Sequence, residues 1–179
     1  MCGIVGISSN EKKKIIDFPI KKSMSILSHR GPDDQNLKKM QYALFGHLRL
    51  SIIGVESVNA KQPICDKNYM LIYNGEIYNY TELQKRLQDI NVVCSGESDT
   101  EVLFLCLVHF GIKKTLKIID GMFAFAFYDD LKKKLYLARD RIGEKFIYWS
   151  KINNSLIFAS EIKTLVQCNK INIKPNLKK

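Results

Sequence analysis

The sequence has few of the residues that hold small secreted or zinc-dependent proteins together. It contains five cysteines in 179 residues, and they are odd in number, widely spaced and without a CxxC pair. This spacing argues against both a disulfide framework and a zinc site made of thiolates. We therefore expect a protein with reduced cysteines that works in the cytoplasm.

Long apolar runs, a secretion signal and linkers are also absent. No stretch approaches the ~20 apolar residues that a membrane span requires, and the N-terminus lacks the charged and apolar regions of a signal peptide. No repeat or Pro/Gly/Ser-rich linker divides the chain. With 46% hydrophobic residues over 179 positions, the sequence predicts one soluble domain over residues 1–179 with no membrane partner.

Acidic residues are in the minority, since 28 Lys and Arg against 18 Asp and Glu give a formal net charge of +10. A basic protein attracts nucleic acid when its positive charges are clustered. The lysines here stand in short runs beside turn-like segments, without an RNP-type aromatic motif or zinc-finger spacing. This distribution favours a solvated basic surface, and we expect no nucleic-acid partner.

Strand-like segments outnumber helical ones. Apolar patterns predict strands at residues 2–8, 42–53, 69–74, 121–130, 134–140 and 155–160. The pairs Asp-Asp at 129–130 and Asn-Asn at 153–154 are hairpin signals. Strands near both ends of the chain, with helices between them, indicate an α+β layered fold with largely antiparallel sheets.

Helical periodicity occurs in three segments. Apolar residues share one helix face in 20–27, and in 80–90 they recur at intervals of three and four residues. The segment after Asp99 is apolar on nearly all sides of a helix. Ser98 and Glu101 fit a capping box at the start of this third helix.

The cysteine at position 2 is unusual because it directly follows the initiator methionine. The stretch MCGIVGI would serve as an ordinary buried strand, in which a lone cysteine usually only packs. Removal of Met1 would, however, place a thiol and a free α-amino group on one residue. An α-amino group titrates at about 7.7–8.0, so it could take the thiol proton near neutral pH directly or through a water. Cys2 is therefore a candidate nucleophile that needs no histidine.

Two segments carry an arginine whose role the pattern leaves open. Arg49 interrupts a strand that is otherwise apolar enough to be buried, and a buried arginine needs a paired anion. That anion could be Asp33 or Glu76 of the protein itself, or a carboxylate that binds from outside. The turn-rich loop with His29 and Arg30 is ordinary when taken alone.

Two polar segments stand beside predicted elements. Asn74 and Gly75 come at the end of an apolar strand, where Asn-Gly usually marks a hairpin turn. Residues 79–82 nevertheless read as a helix start rather than a second strand. Asp99 stands at a helix entrance, where its simplest role is N-capping.

Together these residues fit one small ligand. A free amino acid is a zwitterion, so its site needs a guanidinium for the carboxylate and a carboxylate for the ammonium, and Arg49 and Asp99 would supply them. If its side chain ended in an amide, attack by a thiolate would create an oxyanion that needs two prearranged donors. The side-chain amide of Asn74 and the backbone N–H of Gly75 are the candidates.

The sequence resembles the glutaminase domain of class II glutamine amidotransferases, in the asparagine-synthetase branch of the N-terminal-nucleophile hydrolases. The matching motifs are, in chain order, CGIVG at 2–6, HRGPD at 29–33, RLSII at 49–53, NGEIYN at 74–79, SDTE at 98–101, DGMFAFA at 120–126 and ASEIK at 159–163. RLSI and NGEIYN indicate the branch, because the sugar-phosphate and purine-pathway amidotransferases have RWATHG or RYST and HNG there.

The resemblance implies a fold, a reaction and a set of site residues. The fold is a four-layer αββα sandwich of two antiparallel sheets, and the reaction converts L-glutamine to glutamate and ammonia through a γ-glutamyl thioester. Cys2 is then the nucleophile with its own α-amine as base, and Asn74 and Gly75 are the oxyanion donors. The residues that correspond to the glutamine pocket are Arg49, Leu50, Ser51, Ile52, Ile53, Asn74, Gly75, Glu76 and Asp99.

Two departures from the family pattern concern the partner. Where the family has RDRxGxKPLYY, this chain has RDRIGEKFIYW at 139–149, and Phe146 in place of the proline leaves the shape of the loop open. The ATP-pyrophosphatase domain of asparagine synthetases, with its SGGxDS loop, has no counterpart in the sequence. The resemblance thus implies no cofactor for this domain, while ATP and Mg belong to an ATP-pyrophosphatase-type synthetase domain or subunit as partner.

The sequence leaves two functions open. One is a glutaminase that supplies ammonia to an asparagine-synthetase-type partner, and the other is a catalytically weak glutamine-binding or regulatory module that docks on a synthetase. The intact catalytic residues argue against the second. Strand alternation would send some of Phe146, Ile147 and Trp149 outward as a partner surface, although all three could equally be core.

Overall fold

A computed structural model describes residues 1–50, 61–96 and 98–167 of the chain. The strands are β1 (Gly3–Ser9), β2 (Asp34–Lys39), β3 (Ala43–Arg49), β4 (Ile64–Cys65), β5 (Tyr69–Ile77), β6 (Gly121–Asp129), β7 (Lys134–Arg139), β8 (Tyr148–Ile152) and β9 (Ser155–Ala159). The helices are α1 (Lys12–Ile16), α2 (Ile20–Ile26), α3 (Tyr80–Gln88), α4 (Asp99–His109), α5 (Gly111–Ile118) and α6 (Ile162–Val166), and a 3-10 turn covers Ser28–Arg30.

The strands form two sheets in which every pairing is antiparallel. The first sheet has five strands in the order β2-β3-β1-β9-β8, and the second has four in the order β4-β5-β6-β7. β1 is central in the first sheet because it pairs with both β3 and β9, although β9 lies near the other end of the chain. The N-terminus is therefore held by strands on both of its sides.

Side-chain alternation along the strands divides the core into three layers. Ile4 and Phe45 of the first sheet pack against Met70, Ile72 and other apolar residues of the second sheet. The opposite face of the first sheet packs on α1, α2 and α6, and the opposite face of the second sheet packs on α3, α4 and α5. The order helix, sheet, sheet, helix is the αββα sandwich, so the predicted fold class is confirmed.

The six predicted strands are confirmed, with changes at their ends. The strand predicted at 42–53 ends at Arg49, and its residues 51–53 lie outside the described part of the chain. The edge strand β2 was missed because its sequence, DQNLKK, is mostly exposed and has no apolar alternation. The predicted hairpins are confirmed, since Lys133 and Asn153 adopt the left-handed conformation, at φ 51° and 52°, between paired strands.

The Asn-Gly pair does not form a turn. β5 continues through Asn74 and Gly75 to Ile77, and all three residues pair with β6, so the strand predicted at 69–74 was too short. A Cβ on Gly75 would overlap the carbonyl oxygen of Met122 and lie 2.7 Å from Cα of Phe123. Glycine is therefore required here by the close approach of β6.

None of the helices within the described ranges combines the length and the apolar character that crossing a membrane requires.

Replacement of Gly75 by Ala is expected to destabilise the fold by about 1–3 kcal/mol, because the added methyl group has to push β6 away. Urea unfolding measures this difference. Gly3→Ala is the matched control, since a Cβ there meets only side-chain atoms at 3.3 Å or more. Equal stability of the two variants would contradict the tight β5–β6 contact.

Candidate functional site

The candidate nucleophile lies where β1 begins, at one end of the space between the sheets. Cys2 directly precedes β1, and strand alternation puts it on the same inward side as Ile4. On the neighbouring strand β3, alternation likewise groups Arg49 with His47 and Phe45, and Ile4 and Phe45 belong to the inter-sheet core. Cys2 and Arg49 thus occupy one end of the inner face of the first sheet.

Backbone contacts fix the position of Cys2. Its Sγ, on a half-buried side chain, lies 3.9 Å from the carbonyl oxygen of Leu50, a residue of the predicted pocket. Arg30 donates from Nε to the carbonyl oxygen of Cys2 at 3.0 Å. The N–H of Ile4 donates to Oγ of Ser160 at 2.9 Å, and the N–H of Ser160 donates back to the carbonyl of Ile4 at 2.8 Å. The segment around the thiol is therefore held from three directions.

Glu161 anchors the arginine that holds Cys2. Its carboxylate accepts from Arg30 at 3.1 Å and contacts His29 at 2.8 Å and Lys163 at 3.0 Å. Partial burial opposes the charge, but hydrogen bonds from Lys163, His29 and Arg30 outweigh it and lower the pKa of Glu161 to about 2. The HRGPD and ASEIK motifs thus meet behind the nucleophile, a role that the sequence alone did not indicate for His29 or Arg30.

Asn74 and Gly75 lie on β5, in the second sheet. Alternation places Asn74 on the inward side with Met70 and Ile72. Asn74 is only 3% exposed, and its Nδ2 has no hydrogen-bond partner among the residues that the structure describes. A buried donor without a partner is costly in a folded protein, so this amide suits a bound acceptor.

Asp99 is the first residue of α4, and its carboxylate forms hydrogen bonds with β5. Its Oδ2 accepts from the hydroxyl of Tyr73 at 2.7 Å and from the N–H of Ile77 at 3.1 Å. The predicted capping box is wrong, because Ser98 makes no side-chain cap bond and Glu101 accepts instead from the loop before it. The carboxylate is therefore positioned by the strand that carries the oxyanion candidates.

Tyr73 connects several of the predicted residues. Burial and the Asp99 carboxylate raise the pKa of Tyr73 well above its usual 10, and Glu76 and Cys2 also lie within electrostatic range of its hydroxyl. Glu76 itself is exposed at the end of β5. Sequence reasoning missed Tyr73, because an aromatic residue in an apolar strand carries no signal beyond packing.

The structure thus brings most predicted site residues to one end of the sandwich. Those in the described part are Cys2, Arg49, Leu50, Asn74, Gly75, Glu76 and Asp99. Ser51, Ile52 and Ile53 were also predicted to line the pocket, and they lie outside the described residues. Arg49 is 9% exposed, in agreement with the burial that its apolar strand predicted.

His47 is a buried histidine beside this site. It is 1% exposed, and burial, together with the charge of Arg49, lowers its pKa from the usual 6.5 to about 4, against opposing effects of the Tyr73 backbone and Asp34. Its Nε2 has no hydrogen-bond partner within the described ranges. The ring is therefore neutral at physiological pH.

A loop that begins at Asp140 borders the N-terminus. The carboxylate of Asp140 accepts from the backbone N–H groups of Phe123 at 3.2 Å, Glu144 at 2.8 Å and Lys145 at 3.0 Å. Burial opposes its charge, but these bonds outweigh it and lower the pKa of Asp140. The side chain of Asp140 therefore shapes the loop in which the family proline is replaced.

The same loop and the β8 strand that follows it expose apolar side chains. Lys145 brings its Nζ to 3.6 Å from the sulfur of Met1. Phe146 is 53% exposed and stacks on Tyr148, and Trp149 is 61% exposed, whereas the half-buried Ile147 packs on the inter-sheet core. We call the exposed residues Phe146 and Trp149 the loop surface.

Metal-ligating side chains and a cavity are two further features of the described residues that bear on function. Among the described residues, no group of three or more His, Cys, Asp or Glu could hold a metal ion. A cavity of about 260 Å³ lies beneath α1 and α2, where its walls include Ile7, Phe18 and Ile157, and none of the predicted site residues lines it.

Acid is expected to destabilise the fold through His47. Its pKa near 4 in the folded state lies below that of the unfolded chain, so the unfolded state binds more protons between these values and stability falls as the pH drops below about 6.5. Going from about pH 7.5 to about pH 5 should cost about 2 kcal/mol through this residue.

Urea unfolding of the wild type and His47→Asn at both pH values measures this contribution, because Asn does not titrate. The stability of the wild type relative to the variant should fall by about 2 kcal/mol on acidification. The same pH dependence in both proteins would show that His47 is not buried in its neutral form.

Comparison with known proteins agrees with this geometry. A family model described as a glutamine amidotransferase domain matches residues 1–179. Relatives in Bacillus subtilis include asparagine synthetase [glutamine-hydrolyzing] 1, which is 39% identical over 171 residues, and asparagine synthetase [glutamine-hydrolyzing] 3, which is 36% identical over 171 residues. Each match covers 93% of this chain and 27% of the relative.

A putative asparagine synthetase [glutamine-hydrolyzing] 2 of Methanocaldococcus jannaschii is 34% identical over 200 residues, which cover 100% of this chain and 38% of the relative. The chain thus spans roughly a quarter to two fifths of the length of these relatives. Among solved structures, the glutamine phosphoribosylpyrophosphate amidotransferase of B. subtilis aligns with a TM-score of 0.72 and 21% identity, over 97% of this chain and 45% of that chain. The alignment supports the fold.

Proposed function

The chain belongs to the family of glutamine amidotransferase domains, and from that membership we propose that it hydrolyses L-glutamine to glutamate and ammonia through a γ-glutamyl thioester on Cys2. The observation that carries the proposal is the arrangement of Cys2 and Arg49 on one sheet and Asn74 and Asp99 around β5 of the other. Of these four residues, one supplies the thiol nucleophile, and the other three supply the charged and hydrogen-bonding groups that an amide-bearing amino acid needs for binding and cleavage.

In the proposed complex, one charged side chain of the protein binds each charged group of the glutamine zwitterion. The guanidinium of Arg49 pairs with the α-carboxylate of glutamine, and the carboxylate of Asp99 pairs with its α-ammonium. Asp99 is already held by Tyr73 and Ile77, so little reorganisation accompanies binding. The side-chain amide of glutamine then extends toward Cys2.

The thiol of Cys2 becomes the nucleophile once Met1 is removed. The freed α-amine takes the proton from Sγ, and the thiolate attacks the amide carbon of glutamine. Arg30 and Leu50 support this step because they contact the backbone and the sulfur of Cys2.

The oxyanion that forms is stabilised by Nδ2 of Asn74 and the N–H of Gly75. When it collapses, the C–N bond breaks, and ammonia leaves with the proton that the α-ammonium returns. Water then attacks the thioester with the α-amine as base, so that glutamate and the free thiol are released. The donor of Asn74 that has no partner among the described residues supports this assignment.

Replacement of Cys2 by Ala is expected to abolish glutamate release while glutamine still binds, because Arg49 and Asp99 remain. An enzymatic glutamate assay and calorimetric binding measure the two properties, and mass spectrometry establishes whether Met1 has been removed. Cys65→Ala is the control, since Cys65 is an exposed free thiol. Turnover by the Cys2→Ala protein would overturn the mechanism.

Arg49→Lys and Asp99→Asn are each expected to lower kcat/KM by an amount on the order of 2–4 kcal/mol, because each leaves one end of the zwitterion without its charged partner. Lysine cannot form the bidentate pair that arginine forms. Arg86→Lys is the control, because Arg86 makes an exposed pair with Glu82. Unchanged kcat/KM in either site variant would mean that the pocket is misplaced.

The ammonia is proposed to pass to an asparagine-synthetase-type partner, a domain or subunit that uses ATP and Mg, while this domain needs no cofactor of its own. Free ammonia near neutral pH is mostly ammonium, which is a poor nucleophile, so direct transfer to an acceptor site is advantageous. The names of the relatives support such a partner. We place this activity in the cytoplasm, where glutamine and ATP are available.

A catalytically weak module that binds glutamine or regulates a synthetase is the alternative function. It would have the same pocket and the same partner but little turnover. The glutamate assay on the wild type separates the two functions.

The loop surface is proposed to contact this synthetase. Addition of an ATP-pyrophosphatase-type synthetase, in trans or fused after Lys179, should raise the glutaminase activity and couple it to amide formation. Trp149→Ser should weaken this stimulation and leave basal activity unchanged, and Leu131→Ser is a control at another exposed apolar residue. Full activity without a partner, and no binding of such a synthetase in a pull-down, would contradict this role.

A further inference from the structure

The carboxylate of Asp99 is hydrogen-bonded to β5 on both sides of the oxyanion candidates. Its Oδ2 accepts from the hydroxyl of Tyr73 at 2.7 Å and from the backbone N–H of Ile77 at 3.1 Å. Tyr73 directly precedes the Asn-Gly pair of β5, and Ile77 comes shortly after it. The group assigned above to the α-ammonium of glutamine is therefore fixed relative to the strand that carries the oxyanion donors.

The two hydrogen bonds to Oδ2 differ in length and in origin. The N–H of Ile77 belongs to the backbone, so it is present whatever the side chain at that position. The hydroxyl of Tyr73 makes the shorter bond and comes from a side chain that is only 2% exposed. Hydrogen bonds depend on angle as well as distance, so a second donor restricts a rotation that one bond alone permits. The orientation of the Asp99 carboxylate thus depends on the side chain of Tyr73.

The ring that carries this hydroxyl is itself held in place. The backbone N–H of Tyr73 donates to Oε1 of the buried Gln62 at 2.6 Å, and β5 pairs with β6 residue by residue from Tyr69 to Ile77. The ring belongs to the apolar layer between the second sheet and the helices α3, α4 and α5. The hydroxyl is therefore presented to Asp99 from a fixed position.

The hydroxyl of Tyr73 orients the carboxylate without cancelling its charge. Burial and the Asp99 carboxylate raise the pKa of Tyr73 well above its usual 10, so the hydroxyl is a neutral donor at physiological pH. The other oxygen of the carboxylate, Oδ1, lies 3.4 Å from the hydroxyl of Thr100, a distance at which a hydrogen bond is weak. An ionised carboxylate can accept about four hydrogen bonds, so Asp99 retains both charge and capacity for an ammonium group.

We propose that Tyr73 is a positioning residue for the α-ammonium of glutamine. Its hydroxyl holds the Asp99 carboxylate at the distance from the oxyanion donors that separates the ammonium of bound glutamine from its side-chain amide. The proposal rests on the function proposed above. Because the ammonium is bound in the ground state and the transition state alike, loss of the hydroxyl weakens substrate binding and raises KM, with little change in kcat.

The test measures kcat and KM for glutamine with the glutamate assay in the wild type, Tyr73→Phe and Tyr69→Phe. Phenylalanine removes the hydroxyl and retains the ring, so the packing of the second sheet is preserved. Tyr69 is the matched control, because it lies earlier on the same face of β5, packs against the same apolar layer and stacks on Phe127. Thermal unfolding of each variant establishes that the folded protein is being measured.

We expect Tyr73→Phe to raise KM at least about 5-fold with kcat within about 3-fold of the wild type, since hydrogen bonds to charged groups are among the stronger ones in proteins. Tyr69→Phe should leave both constants within about 2-fold of the wild type. In a Cys2→Ala background, calorimetry should show that Tyr73→Phe raises the Kd for glutamine by a factor similar to that for KM.

A double-mutant cycle with Asp99→Asn identifies the charge through which Tyr73 acts. Asparagine lacks the negative charge that attracts the ammonium, so adding Tyr73→Phe to Asp99→Asn should change kcat/KM by less than about 2-fold. An equal loss in the wild-type and the Asp99→Asn backgrounds would show that Tyr73 acts independently of the carboxylate, and it would overturn the proposal.

The outcomes separate this proposal from the function on which it rests. A wild type without glutaminase activity would contradict the proposed function, and the Kd comparison in the Cys2→Ala background would still test Tyr73. An active wild type with unchanged KM in Tyr73→Phe would overturn the positioning role alone, and so would a loss confined to kcat. If Asp99→Asn has no measurable turnover, the KM and Kd effects of Tyr73→Phe decide the question.

Discussion

The packing of two antiparallel sheets face to face is the interaction on which this protein depends. Apolar residues such as Ile4, Phe45 and Met70 hold the inner faces together, and packed sheets leave a layer about 10 Å thick between them. Toward one end of the sandwich the apolar residues give way to Cys2, Arg49 and polar groups of β5. The candidate site is thus an extension of the core in which polar side chains replace apolar ones.

Motifs in single segments could be predicted from the sequence because local chemistry identifies them. An arginine in an apolar strand, such as Arg49, or a cysteine at position 2 has few explanations. Asn74 and Gly75 were chosen as candidates from their residue types, but the strand predicted to end at Asn74 was too short, since the turn preference of Asn-Gly gives way to continuous pairing with β6. Pairing with a strand distant in sequence outweighs a local preference.

Residues that act through other residues could not be found in this way. Arg30 and Glu161 lie far apart in the sequence, and their roles come from contacts that only the fold creates, between Arg30 and the carbonyl oxygen of Cys2 and between Glu161 and Arg30. The edge strand β2 was not predicted for a related reason, because it contributes hydrogen bonds to β3 but hardly any buried apolar surface. Periodicity detects burial, and these features depend on polar contacts.

The loop after β7 owes its shape to one buried carboxylate rather than to a rigid residue at position 146. Three backbone N–H groups converge on Asp140, all of them before Phe146 in the chain. The residues that determine the conformation of the loop are consequently different from Phe146, which forms its exposed apolar surface. Position 146 can change from one protein to another to match what it touches, without a change in the loop that presents it, provided that Asp140 is kept.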